Sequence, residues 1–360
     1  MTRRRETPST WRIRALIAAL AVLLAILTGS LCLRVQAYQQ RTAGTATAAL
    51  PAEAGFYQKL NAAAPVSLLV VGDSIAEPMD PTGWAPRLRE RLRREYGSQA
   101  EIVNVSLGGN ISYAGYVRTM LRPETQFDLA IVCFGQNDAE ADFPLQYEAL
   151  LRTIRRRYPD CAMICVLESS QRTYTPKMQT LQRLAAHYGA PVADTIEAFS
   201  QSGVPYEALC RDGVHPNALG NGLYLEALMG VIRTQAAQNA PLPGALPEPL
   251  DPAVTAWDSW YWLDAADFTR ADALTFVHRG TALRGDVGLD IDYRSGENRV
   301  TLWLDGEQAA ELNVRFRYDF SQRRIVPLAQ DCRVQQEIRV VFGSPEQADS
   351  FRGMMWTGIE

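Results

Sequence analysis

From residue 67 to about 238, short all-apolar runs alternate with stretches whose apolar residues recur every three or four positions. The first run is Leu68-Leu69-Val70-Val71, leading directly into Gly72-Asp73-Ser74. An unbroken apolar run of this length predicts a strand buried on both faces, the habit of parallel sheets. Trp84, Leu88, Leu92 and Tyr96 then fall every fourth residue and predict one face of a helix. Further strands are predicted over 101–105, over 129–134, over 162–167 and near Val192. Between them lie helices facing inward with Tyr147, Leu151, Ile154 and Tyr158, then with Met178, Leu181, Ala185 and Tyr188. Asp194 with Glu197 three residues on reads as a helix cap, and a last helix runs from about Ala218 to Gln238. Such alternation predicts an α/β region with a parallel sheet.

Pro241, Pro243, Pro247, Pro249 and Pro252 exclude a helix or a central strand, so 240–254 reads as a linker. Beyond it the apolar period becomes two: Val287, Leu289, Ile291 and Tyr293, then Leu312, Val314 and Phe316, then Ile338, Val340 and Phe342. With Asp305-Gly306 as a tight turn, 255–360 is predicted to be an antiparallel, sandwich-like β domain. At the other end, Ala15 to Leu33 is free of charge. A helix of that length spans about 28 Å, enough to cross a hydrocarbon core. Five arginines (Arg3, Arg4, Arg5, Arg12, Arg14) precede it, against Arg34 and Arg41 just beyond. The positive-inside rule makes 1–14 cytoplasmic, 15–33 a transmembrane anchor and 34–65 an extracellular tether with a short helix around Phe56 to Leu60. A cleaved signal peptide ending at Val35-Gln36-Ala37 is the alternative, and it exports the same soluble part.

Composition narrows the function only a little. The formal charge of -4 and the absence of a basic region argue against a nucleic-acid partner. The six cysteines contain no Cys-x-x-Cys pair, which argues against a zinc or redox centre. Arg155, Arg156 and Arg157 read as a solvated last helical turn, favoured by the helix dipole.

The chemistry-bearing residues collect just past predicted strand ends. They are Gly72-Asp73-Ser74, Asn104 with Gly108-Gly109, Gly135-Gln136-Asn137-Asp138, and the later loop Asp212-Gly213-Val214-His215. A serine nucleophile needs a base to take its proton. Of the three histidines, His187 ends a helix and His278 lies in the β domain, which leaves His215. Asp212, three residues before it, can hold one ring nitrogen while the other faces Ser74. The backbone N–H groups of Ser74 and Gly109 and the amide of Asn137 are candidate donors for an oxyanion.

These four blocks, in this order, resemble the SGNH (GDSL-type) hydrolase family over residues of about 66–239. The resemblance implies a flavodoxin-like three-layer α/β/α fold around a five-stranded parallel sheet. It implies Ser74 as nucleophile, His215 as base and Asp212 as its orienter, with Ser74, Gly109 and Asn137 as oxyanion donors. It implies no metal or organic cofactor. The block Gly72-Asp73-Ser74 continues with Ile75 in place of the family's common leucine. The expected activity is that of an exported, membrane-anchored serine esterase removing acetyl or other short acyl groups from extracellular carbohydrate. Lipid ester or thioester hydrolysis, O-acyl transfer to a glycan, and a non-catalytic surface-binding role are the alternatives. Trp257, Trp260, Tyr261 and Trp262 are either a sugar-stacking platform or the packing seam of the β domain.

Overall fold

Strand β1 (Val66–Gly72) lies at the heart of a parallel sheet with β2 (Ala100–Asn104), β3 (Leu129–Cys133), β4 (Ala162–Leu167) and β5 (Val192–Asp194), in the order β2-β1-β3-β4-β5. The computed structural model describes residues 54–77, 81–123 and 125–359. Because side chains alternate across a strand, β1 feeds two cores at once. Leu69 and Val71 join one apolar cluster, while Leu68 and Val70 join the other. The second cluster lies under helices α1 (Phe56–Asn61), α2 (Trp84–Tyr96) and the long C-terminal helix of the α/β region, with Trp84, Leu88 and Leu92 fully buried. Truncating Leu88 to alanine would cost about 2–5 kcal/mol at such a site. The first cluster holds α3 (Ser112–Met120), α4 (Phe143–Arg157) and α5 (Pro176–His187). After β5 come α6 (Thr195–Gln201), α7 (Tyr206–Leu209) and α8 (Ala218–Ala237), the long helix just mentioned. Asp194 caps α6 by accepting from the Glu197 N–H at 2.9 Å.

The C-terminal region is antiparallel and forms two sheets. Strands β6 (Trp260–Asp264), β9 (Leu283–Tyr293), β12 (Gln322–Val334) and β14 (Gly353–Thr357) make one sheet, ordered β12-β9-β14-β6. The other, ordered β11-β10-β13-β8-β7, contains β7 (Thr269–Arg270), β8 (Thr275–Arg279), β10 (Gly296–Leu304), β11 (Glu307–Phe316) and β13 (Glu337–Phe342). Asp305 and Gly306 turn β10 into β11 with φ of 50° and 86°, the left-handed pair that a two-residue hairpin requires.

Several expectations change in this structure. Residues 54–61, assigned to the tether, are packed: Phe56, Tyr57 and Leu60 are buried in the second cluster. The proline-rich segment is pinned, its Leu250 and Asp251 N–H groups donating to Glu148 at 2.6 and 3.1 Å. Of the three arginines only Arg156 is exposed. Arg155 is buried and donates to the Gly244 carbonyl, Arg156 pairs with Asp258 at 2.6 Å, and Arg157 donates to the Arg122 carbonyl at 2.8 Å. Trp257 is buried between Tyr113 and Tyr116, so this part of the aromatic run is a packing seam. Val254, Trp257, Ile325 and Met355 belong to the first cluster, which makes the two regions share apolar core. The five cysteines among the described residues are free and buried. No described helix is long and apolar enough to cross a membrane; the predicted span 15–33 lies outside the described residues, as does most of its tether.

Candidate active site

The site assembles at the carboxyl rim of the parallel sheet, where the strand order reverses between β1 and its neighbours. Gly72 ends β1 because nothing larger fits: a Cβ there would lie 2.7 Å from both the Cys133 carbonyl and Ala76. The chain then turns, and Asp73 fixes the turn by accepting the Ile75 N–H at 2.9 Å. Ser74 stands on this turn, half-buried.

His215 arrives from the loop before α8. The Arg211 N–H bonds the His215 carbonyl at 2.8 Å, and Cys210 bridges Pro216, which closes the 210–216 loop on itself. Asn217 caps α8 by accepting from Leu219 and Gly220. His215 Nε2 lies 2.8 Å from Ser74 Oγ, and Nδ1 lies 2.8 Å from Asp212 Oδ2. The other Asp212 oxygen accepts the backbone N–H groups of His215 at 2.9 Å and Val214 at 3.2 Å. Partial burial would raise the Asp212 pKa. The His215 N–H, the His215 ring and the Val214 N–H outweigh it and hold the carboxyl at about 2. Asp212 is therefore an anion at any working pH, aimed at the ring. Its side chain is 56 % exposed, so water weakens that hold.

The Gly109 backbone adopts φ of 66°, which favours glycine there, whereas Gly108 is not left-handed. Asn104 ties this loop to the serine turn by donating to the Ala76 carbonyl at 2.7 Å. Among the described residues, neither the Ser74 nor the Gly109 N–H donates to a protein acceptor. Asn137 differs: its amide donates to Asp73 Oδ2 and to the Asn110 carbonyl, both at 3.0 Å. An incoming oxyanion must compete with the Asn110 carbonyl for that amide.

Sequence reasoning missed three supporting residues, Asn110, Glu168 and Asn221, and gave no role to Asp138. Asn221, buried on α8, accepts the Trp84 N–H at 3.1 Å and donates to the Pro216 carbonyl at 3.0 Å. Trp84 in turn donates to the Ile75 carbonyl at 3.0 Å, so Asn221 couples the serine turn to the histidine loop. Asp138 accepts both the N–H and the hydroxyl of Ser112 and so starts α3. Glu168, just past the end of β4, is fully buried and accepts the Gln136 N–H at 2.7 Å and the Cys133 thiol at 3.5 Å. Burial, helped by the charge of Asp138, pushes Asp73 up to about 7 against the lowering effect of the Ile75 N–H and the Glu168 side chain; burial and the charges of Asp73 and Asp138 push Glu168 well above the usual carboxylate range. Asn110, beside Gly109, holds the loop to β12: it donates to the Arg323 carbonyl at 2.8 Å and accepts the Ile325 N–H at 2.9 Å. Only Asn110 and Asp138 carried a signal, as polar neighbours of glycine motifs. His187 and His278 stay outside the site, at the Glu248 carbonyl and the Asp267 carbonyl respectively.

Residues 70–223 match the model of the GDSL-like lipase/acylhydrolase family. This segment is a GDSL-like lipase/acylhydrolase domain. The protein is thereby an ester-bond hydrolase. No curated protein matches the chain at a significant level. Among solved structures, a two-domain esterase active on acetylated mannans, co-crystallized with mannopentaose, superposes with a TM-score of 0.63 at 13% identity, covering 83% of this chain and 92% of that one. An acetyl xylan esterase variant from Geobacillus stearothermophilus gives a TM-score of 0.41 at 21% identity, covering 46% of this chain and 94% of that one. At these identities the first likeness speaks to the fold: a GDSL-like domain followed by a second, β-rich region.

Proposed function

We propose that the protein is a serine esterase that removes short acyl groups, acetyl foremost, from carbohydrate. The observation that carries this reading is the continuous hydrogen-bonded line from Ser74 Oγ through both ring nitrogens of His215 to Asp212. In the proposed reaction Ser74 Oγ attacks the ester carbonyl carbon as His215 Nε2 takes the hydroxyl proton. The carbonyl oxygen becomes an oxyanion, received by the Ser74 and Gly109 N–H groups and, on exchange from Asn110, by Asn137. Collapse of the tetrahedral adduct breaks the ester C–O bond. The sugar oxygen leaves with the proton from His215, and the acyl group stays on Ser74. Water then attacks the acyl-enzyme, its proton passes to His215, and the carboxylic acid departs as Ser74 Oγ recovers that proton. Asp212 keeps the ring oriented and stabilises its cationic form throughout.

Support for a sugar leaving group comes from the superposable two-domain esterase on acetylated mannans, a likeness of fold. The N-terminal reading belongs to the same proposal: the uncharged run 15–33 behind five arginines supports an exported catalytic region held to the membrane. Turnover of an aryl acetate and covalent labelling by a fluorophosphonate test the chemistry. Loss of both in Ser74→Ala is the expected result, and folded Ser74→Ala with full turnover would overturn it. Protease accessibility of the hydrolase in intact cells tests the topology; protection from external protease would reject export.

A further inference from the structure

The loop that carries Gly109 is met by side chains of the antiparallel region. Arg324 on β12 lays its guanidinium against Gly109, where a Cβ would lie 2.3 Å from Nη2 and 2.5 Å from Nη1. Gln322, on the same face of that strand, and Glu77 of the serine turn flank Gly108 in the same way, at 2.7 and 2.8 Å. The neighbouring Arg323 pairs with the buried Asp290. Arg324 has no hydrogen bond or ion pair among the described residues, and its buried Nε has no acceptor. It lies instead 5.6 Å from the Tyr293 ring and 5.9 Å from that of Phe316. Next to it, on the turn between β11 and β12, Tyr318 and Phe320 stack on one another at 5.3 Å, and remain 58 % and 51 % exposed.

A guanidinium with unused N–H groups is costly to hold half-buried, and an open aromatic pair beside it leaves apolar surface in water. A ligand that presents hydroxyls to the polar heads and C–H faces to the rings satisfies both. A lipid acyl chain satisfies only the second. We infer that this edge of the β region, made by Gln322, Arg324, Tyr318 and Phe320, binds the sugar units that flank the esterified one. It thereby sets substrate selectivity at the GDSL-like site from outside that domain. This inference rests on the esterase reading and extends it to the class of leaving group.

The test compares kcat/KM on an acetylated oligosaccharide with kcat/KM on a plain aryl acetate, in the full chain. In Arg324→Ala and in Tyr318→Ala/Phe320→Ala the ratio of the two falls about tenfold or more, through KM for the oligosaccharide. In Tyr261→Ala, an exposed aromatic elsewhere in the β region, the ratio holds. A ratio unmoved in the first two variants overturns the inference, including the case where both activities fall together because Arg324 merely props the Gly109 loop. A ratio that falls in Tyr261→Ala alone overturns it too. Calorimetric titration of Ser74→Ala with the deacetylated oligosaccharide reads the same edge without any turnover. Saturable binding, lost when Tyr318→Ala/Phe320→Ala is added, supports the subsite even if the ester chemistry fails. Absence of binding rejects the subsite while leaving the esterase reading intact.

Discussion

In the parallel sheet every strand runs the same way, so the residues just past β1, β2 and β3 gather at one rim without further instruction. In the antiparallel region alternate strands end at opposite edges, and no such gathering occurs. The first region therefore exposes its chemistry as short polar motifs after apolar runs. The second delivers Gln322, Arg324 and the Arg323 and Ile325 backbone to the same rim from the body of one strand, β12. One region writes its site into local sequence; the other contributes through register and docking. The catalytic line belongs wholly to the first, and the roof over the Gly109 loop belongs to the second.

The comparison is broken most completely by Ser74→Ala and His215→Ala. Each is expected to lower aryl acetate turnover by about 10⁴–10⁶-fold, since neither leaves an activated nucleophile. Steady-state kinetics on folded variants measures it. A loss below tenfold in either would place the chemistry outside the line from Ser74 to Asp212. Asp212→Asn should cost less, about 10²-fold, because solvent around a 56 % exposed carboxylate screens its charge on the ring. A loss as large as that of His215→Ala would show that Asp212 acts in a drier site than its 56 % exposure implies.

Much of the fold was readable because its strands and helices obey one period each. β1, β3 and β4 are apolar runs buried on both faces, and α2 carries one clean stripe. α3 was invisible for a physical reason. Tyr113, Ala114, Tyr116 and Val117 are all buried, partly under Trp257 and the β region, so no polar face marks the helix, and its start is set by Asp138 from a distant loop. Ser74, Asp212 and His215 were legible as a set because only one histidine had an acid at the right spacing outside a regular element. Arg324 was not, since an arginine on an alternating strand looks like any solvent-facing residue. Trp257 drew attention as an aromatic and turned out to be seam. Arg155 looked solvated and holds the linker.

Asn110→Ala sharpens the boundary between the two regions. Removing its buried amide leaves the Ile325 N–H and the Arg323 carbonyl without their partner, at a cost of about 2–3 kcal/mol. If the β region steadies the Gly109 loop, aryl acetate kcat falls with the stability. Chemical denaturation together with kcat reads both quantities. A variant as stable as the parent would show that β12 docks without this tie.

The subtlest effect concerns the buried carboxyls beneath the serine turn, which sit wholly in the first region. Asp73 and Glu168 are both fully buried, and both are shifted upward, Asp73 to about 7. A carboxyl whose pKa is higher folded than unfolded binds its proton more tightly in the native state. The stability it contributes is thus full at low pH, and declines as pH rises through the folded value. The parent should accordingly lose on the order of 1–2 kcal/mol between pH 6 and pH 9. Glu168→Gln removes one of the two raised carboxyls and keeps a side-chain donor near Asp73. Its stability profile should therefore be flatter over the same interval, with the variant gaining on the parent as pH rises. Urea midpoints at four pH values decide the matter: parallel profiles would mean that ionisation of Glu168 does not oppose folding over this interval, and that the serine turn owes its shape to the Ile75 and Asn137 hydrogen bonds alone.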